Sequence, residues 1–180
     1  MLEYLDGIVV ERGNDYVVVD KGGIGFKILT PSRIDDGRVR LYLVLFIKEE
    51  QPVLYGFKTR EERDIFQQLL GVSGVGVKHA FSILRGFTPG EFLEILEEGD
   101  HTRLTDIPGI GIKTAQRIIL ELKGKLDFIQ SEIFDDVVSA LVNLGFDKKE
   151  VVPVVRGVIR ETRDINEAIK KALQKLTEKG

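Results

Sequence analysis

The chain has 180 residues, 43% of them hydrophobic and 31% charged, with a formal net charge of −3 and no cysteine. Thiol catalysis and cysteine-ligated metal sites are therefore excluded, and two histidines, His79 and His101, are too few for an all-histidine zinc site. No run approaches the roughly 18 apolar residues of a membrane span, and no charged stretch followed by an apolar core opens the chain, so a cytoplasmic protein without a membrane role is expected.

Residues 1–62 read as β. Apolar, β-branched runs at Tyr4–Val10, Tyr16–Asp20, Gly25–Leu29, Val39–Ile47 and Val53–Phe57 are separated by turn chemistry at Gly13-Asn14-Asp15, Lys21-Gly22-Gly23 and Asp35-Asp36-Gly37. Five short strands in so small a segment predict a barrel of the oligonucleotide-binding (OB-fold) type, although any compact antiparallel sheet gives the same pattern. The last turn is Lys48-Glu49-Glu50-Gln51-Pro52, whose adjacent glutamates, taken alone, are ordinary solvated loop residues.

Residues 63–125 read as helical and contain one phrase twice. Val72-Ser73-Gly74-Val75-Gly76-Val77-Lys78-His79-Ala80 returns thirty-five residues later as Ile107-Pro108-Gly109-Ile110-Gly111-Ile112-Lys113-Thr114-Ala115. Each copy lies between helical patterns: Ile65, Phe66, Leu69 and Leu70 precede the first, while Ile118, Ile119 and Leu122 follow the second. Between the copies, Thr88-Pro89-Gly90-Glu91 is a capping box with proline at the first helical position. The segment is a tandem helix-hairpin-helix whose halves pack on one another and aim both hairpins at one ligand.

The spacing carries chemistry. The first glycine, Gly74 or Gly109, stands where a helix must stop, and the apolar Val75 or Ile110 plugs the turn into the core. At Gly76 or Gly111 a new helix begins, so its leading amides lack intrahelical partners and lie at the positive end of the helix dipole, an arrangement suited to phosphate. Lys78 and Lys113, two residues on, add a charge, and Thr114 and Arg117 complete the expected set of backbone-contacting residues. Nothing in this arrangement reads bases, so the binding it implies is independent of sequence and sensitive to salt.

Residues 126–130 read as a short linker, and residues 131–180 as a separate bundle of three helices. Ile133, Val137, Val138, Leu141 and Leu144 form an apolar stripe ending at the C-cap Gly145, while Asp147 and Asp164 start two more helices, the first of them carrying Pro153 as a kink or late start. With no glycine hairpin and no charge excess, this segment suits docking to a protein. Charge is otherwise even along the chain: Lys plus Arg against Asp plus Glu is 9 to 11 over residues 1–62, 8 to 9 over 63–130 and 9 to 9 over 131–180. A single hairpin without a basic surround binds weakly, and several acting together bind more tightly.

No P-loop, nucleophile triad or metal cluster can be assembled from these residues, and no cofactor is expected. Asp135-Asp136 and Glu97-Glu98 are neighbours on helices and face different directions.

The order of parts resembles the RuvA family of bacterial Holliday-junction binding proteins. The residues carrying the resemblance are Leu5-Asp6-Gly7-Ile8, Gly22-Gly23-Ile24-Gly25-Phe26, Leu54-Tyr55-Gly56-Phe57 with Glu61-Glu62-Arg63, both hairpins, and Ala140-Leu141-Val142-Asn143-Leu144-Gly145-Phe146. The resemblance implies an α+β multidomain chain: an N-terminal OB-fold β-barrel, a tandem helix-hairpin-helix domain and a C-terminal three-helix, UBA-like bundle. It further implies a tetramer, or an octamer, that holds four-way junction DNA open and planar. The partners implied are the ATP-driven RuvB ring, which would dock on the third segment, and the RuvC resolvase. Glu49 and Glu50 match the family's acidic pin, and Leu144 and Phe146 are the candidate motor-docking residues. The chain departs from the family's pattern in a short Thr30–Arg38 stretch, a short linker and Lys48 where relatives often carry arginine.

Two other classes of function remain open at this point. A repair glycosylase or nuclease would use the hairpins only to hold duplex, with Asp100 as a conceivable carboxylate, but base flipping calls for a larger helical body than this chain has. An adaptor would use the hairpins only as packing turns.

Overall fold

Alternating inward and outward residues draw the first part of the chain into five strands: β1 (Tyr4–Arg12), β2 (Tyr16–Lys21), β3 (Ile24–Leu29), β4 (Gly37–Lys48) and β5 (Gln51–Phe57). Among the described residues eight helices follow: α1 (Arg60–Leu70), α2 (Val77–Gly86), α3 (Pro89–Glu98), α4 (His101–Thr105), α5 (Ile112–Leu122), α6 (Asp127–Asn143), α7 (Lys148–Val158) and α8 (Ile165–Thr177). The computed structural model describes residues 2–159, 161–162 and 164–177, with the backbone alone for 127–132, so the last three positions of the expected third segment lie outside the described residues. The chain forms two compact units, one of Met1–Gly86 with His101–Ile118 and one of Phe87–Asp100 with Ile119–Gly180.

In the first unit the strands close into a barrel in the order β1-β2-β3-β5-β4, with β4 returning to pair with β1. Only the β3–β5 pair is parallel. Val9, Val17, Val19, Ile28, Ile34, Leu41 and Leu43 fill the interior. One aromatic cluster carries the barrel into the helices: Phe66 of α1 lies 4.8 Å from Phe57 and 5.2 Å from Tyr55 of β5, and 5.6 Å from Phe81 of α2, between ring centroids. Phe57 and Phe66 are fully buried. Their burial, at roughly 2–3 kcal/mol per ring, fastens the helix ahead of the first hairpin to the barrel wall. Arg85 at the far end of α2 donates to the Pro31 carbonyl at 3.0 Å and to Asp15 at 2.7 Å, closing a second tie to the barrel loops.

In the second unit, α6, α7 and α8 pack pairwise into a three-helix bundle. Ile133, Val137 and Leu141 of α6 are buried, as are Val151, Val155 and Val158 of α7, and Ala168 and Ala172 of α8 keep that helix close by their small size. In α3, Thr88 Oγ1 accepts from the Glu91 amide at 3.3 Å while a Glu91 carboxylate oxygen accepts from the Thr88 amide at 2.8 Å, so the expected capping box is present. Thr88→Ala is expected to lower the unfolding free energy by about 1 kcal/mol, read from urea denaturation.

Three expectations are corrected. The 62/63 boundary falls inside α1, because Thr59 already caps that helix by accepting from the Glu62 amide at 3.1 Å. Most of the expected linker 126–130 is helical, since α6 begins at Asp127 and neither glycine nor proline occurs between Gly124 and Gly145. Leu144 leaves the apolar stripe and is 62% exposed, because α6 ends there. The start expected at Asp147 is present, and α7 continues through Pro153 without a delayed start.

Candidate nucleic-acid interface

Both glycine hairpins belong to the first unit and have the same construction. The Val75 amide donates to the Val72 carbonyl at 3.0 Å, and the Ile110 amide to the Ile107 carbonyl at 3.1 Å. The third residue of each four-residue turn is a glycine at φ 89° or 88°, which defines a type II turn and requires glycine there. Val75 and Ile110 are buried, as the plug role demands.

The first i→i−4 bonds of the following helices run from Ala80 to the Gly76 carbonyl, 3.0 Å, and from Ala115 to the Gly111 carbonyl, 2.9 Å. The amides of residues 77–79 and 112–114 precede those bonds and are the orphan donors of each helix start. Lys78 and Lys113 are exposed beside them, and Thr114 is half-buried.

Gly76 and Gly111 differ in kind from Gly74 and Gly109. Neither has a positive φ, and a Cβ added at either would meet nothing within 4 Å. Beyond a modest preference for glycine over alanine at the position before a helix, the fold has no internal use for glycine at these two exposed positions. What a missing side chain provides there is room for another molecule's backbone beside the orphan amides.

Arg117 takes a place that the repeat does not reveal. From α5, behind the second hairpin, its Nη1 donates to the Ser73 carbonyl of the first hairpin at 3.1 Å. His79 returns the contact: its ring lies over Gly109, where a Cβ would stand 3.3 Å from Cδ2 and Nε2. The two turns are thus neighbours, as the tandem reading requires.

The acidic turn is remote in sequence and different in chemistry. Lys48 and Gln51 are cross-strand partners at the end of the β4–β5 ladder, so Glu49 and Glu50 are the two central residues of the tightest possible hairpin. Both have positive φ, 48° and 63°, the type I′ pattern that normally selects Asn-Gly. Both are exposed, and neither carboxylate has a hydrogen-bond or ion-pair partner among the described residues.

Sequence reasoning missed Arg85, the aromatic cluster and a cavity of about 490 Å³ on the barrel lined by Arg12, Arg33 and Arg85 among others. No local signal marks them, because each depends on side chains brought together from strands, helices and loops distant in the chain. Two of those three guanidiniums are already neutralised, Arg12 by Asp36 and Arg85 by Asp15, both at 2.8 Å or less. In the second unit, Phe146 is half-buried and its amide donates to the Leu141 carbonyl at 3.3 Å, which closes the C-terminus of α6 beside the exposed Leu144.

Comparison with known proteins gives three successive matches: the RuvA N terminal domain over residues 1–56, the SAM-like helix-hairpin-helix tandem over 66–125 and the RuvA C-terminal domain over 132–177. Curated relatives include the Holliday junction branch migration complex subunits RuvA of Bacillus thuringiensis (strain Al Hakam), Bacillus mycoides (strain KBAB4) and Bacillus cereus (strain B4264). Each is 38% identical over an aligned length of 200 residues that covers 98% of this chain and 98% of the relative. Among the described residues, no helix is long and apolar enough to cross a membrane.

Proposed function

This chain belongs to the RuvA family, and on that premise we propose that its paired hairpins hold the sugar-phosphate backbones of a four-way Holliday junction. The protein is the DNA-binding subunit of a branch migration complex and supplies no catalytic step of its own. Gly76 and Gly111 carry the reading: glycine with no steric or conformational reason, next to unpaired helix-start amides, twice over and on neighbouring turns. Lys78 and Lys113 neutralise the bound phosphates, and because no base edge is addressed, recognition follows the geometry of the branch rather than its sequence.

The chain's net charge of −3 leaves one hairpin pair with little long-range attraction for DNA. A fourfold assembly compensates by presenting several hairpin pairs at once to the arms of one junction. In that arrangement Glu49 and Glu50 from each chain gather where the arms meet, and their repulsion of phosphate favours separated strands over continuous duplex. The exposed Leu144, with the half-buried Phe146 beside it, offers the docking point for the ATP-driven RuvB motor, and the protein works in the cytoplasm.

The test is a gel-shift titration of a four-way junction against linear duplex of equal length. Junction binding is expected to be at least about 100-fold tighter, with log K falling linearly as log salt rises. Equal affinity for the two DNAs, or none for either, defeats the reading.

A further inference from the structure

We infer that Arg117 is a positioning residue: it fixes the shape of the opposite hairpin instead of gripping a phosphate beside its own. The inference rests on the backbone-binding reading above. It starts from a difference between the two repeats. Thirty-five residues separate equivalent positions, so the counterpart of Ser73 is Pro108 and the counterpart of Arg117 is Ser82.

Type I and type II turns differ by a flip of their central peptide, the one joining the second and third residues. In the first hairpin that peptide joins Ser73 to Gly74, and its carbonyl oxygen is the atom that receives Arg117 Nη1 at 3.1 Å. The second hairpin has proline at the second turn position, which presets φ there and stiffens the turn from within. Serine confers no such restriction. The hairpin lacking proline is the one whose central peptide is held from outside, and the hairpin with Pro108 has no arginine at the equivalent distance along its partner helix.

The consequence for binding is direct. Gly74 lies two residues ahead of Gly76, and a flip of the Ser73–Gly74 peptide reverses the Ser73 carbonyl and the Gly74 amide while leaving the path of the chain nearly unchanged. The Gly74 amide would then point away from a phosphate seated on the orphan amides of residues 77–79, and the first hairpin would offer one donor fewer than the second. His79, whose ring packs over Gly109, holds the two turns side by side, so the latch acts on orientation rather than on distance. Lys113 and Arg117 are four residues apart on α5 and share a face, which places the guanidinium within reach of the first hairpin while leaving Lys113 free for phosphate.

Proline rescue tests the assignment. Arg117→Met keeps the aliphatic stem, removes the donor and the charge, and is expected to weaken junction binding about tenfold in the full-length protein. Ser73→Pro copies the second hairpin. Combined with Arg117→Met it is expected to restore binding to within about threefold of the parent without restoring any charge. A phosphate ligand cannot be replaced by a proline on the other hairpin, so a double variant as weak as Arg117→Met overturns the assignment, and so does an Arg117→Met protein that binds normally. Arg117 is exposed, and melting curves of both variants verify that folding is retained. Gly76→Ala, run in parallel, separates the two levels: if it leaves binding unchanged, the backbone-binding reading itself fails, whatever Arg117 does.

Discussion

Replacing Gly76 and Gly111 together by alanine is expected to weaken binding to a four-way junction by about 100-fold, at roughly 1.5 kcal/mol for each charged hydrogen-bonding site lost. The fold gives almost no reason for this sensitivity. Neither glycine has a positive φ and neither has a neighbour within 4 Å, so alanine fits both positions. The stability cost is the loss of a tolerable N-cap, no more than about 1 kcal/mol per site. The methyl group would instead stand in front of the first-turn amides and hold a phosphate out of hydrogen-bonding range.

Alanine at Gly74 and Gly109 should behave in the opposite way. At φ 89° and 88° a Cβ is strained, and each substitution is expected to cost about 1–2 kcal/mol of stability before any effect on DNA. Equilibrium unfolding and junction titration of the two pairs provide the check. A Gly76/Gly111 double variant that binds normally removes the central support for hairpin-mediated backbone binding.

The second large effect concerns the acidic turn. Glu49→Asn with Glu50→Gly installs the pair that a type I′ turn prefers, and is expected to raise stability by about 1–2 kcal/mol because two strained left-handed residues are relieved. The same change removes both carboxylates. The preference for junction over duplex should fall roughly tenfold at low salt, where a repulsion between charges close together is little screened. A protein that is more stable yet less discriminating would show that strain is retained at Glu49 and Glu50 for the sake of charge placement. Unchanged discrimination would remove the pin from the mechanism.

Much of this was legible before any coordinates. The two hairpins announce themselves because glycine, the apolar plug and lysine recur at one spacing, and each answers a local demand of the backbone. Five strands were legible from alternation, and the Thr88 cap from its spacing to Glu91. Glu49 and Glu50 were legible as a loop but not as a type I′ turn, because two glutamates do not advertise left-handed backbone. The 62/63 boundary and the linker differ from the sequence reading because helix starts depend on caps at Thr59 and Leu126, one of which has no side-chain signal at all.

By itself the sequence determined the nature of the binding elements: local hydrogen bonding and backbone sterics act over a few residues, and the residues that set them are adjacent in the chain. Only the tertiary structure decided how those elements work as a pair. Ser73 meets Arg117 across 44 positions, and Phe57, Phe66 and Phe81 meet from a strand and two helices. Contacts of that kind are created by packing, whose partners are selected by shape and burial over the whole unit and leave no periodicity behind to be read.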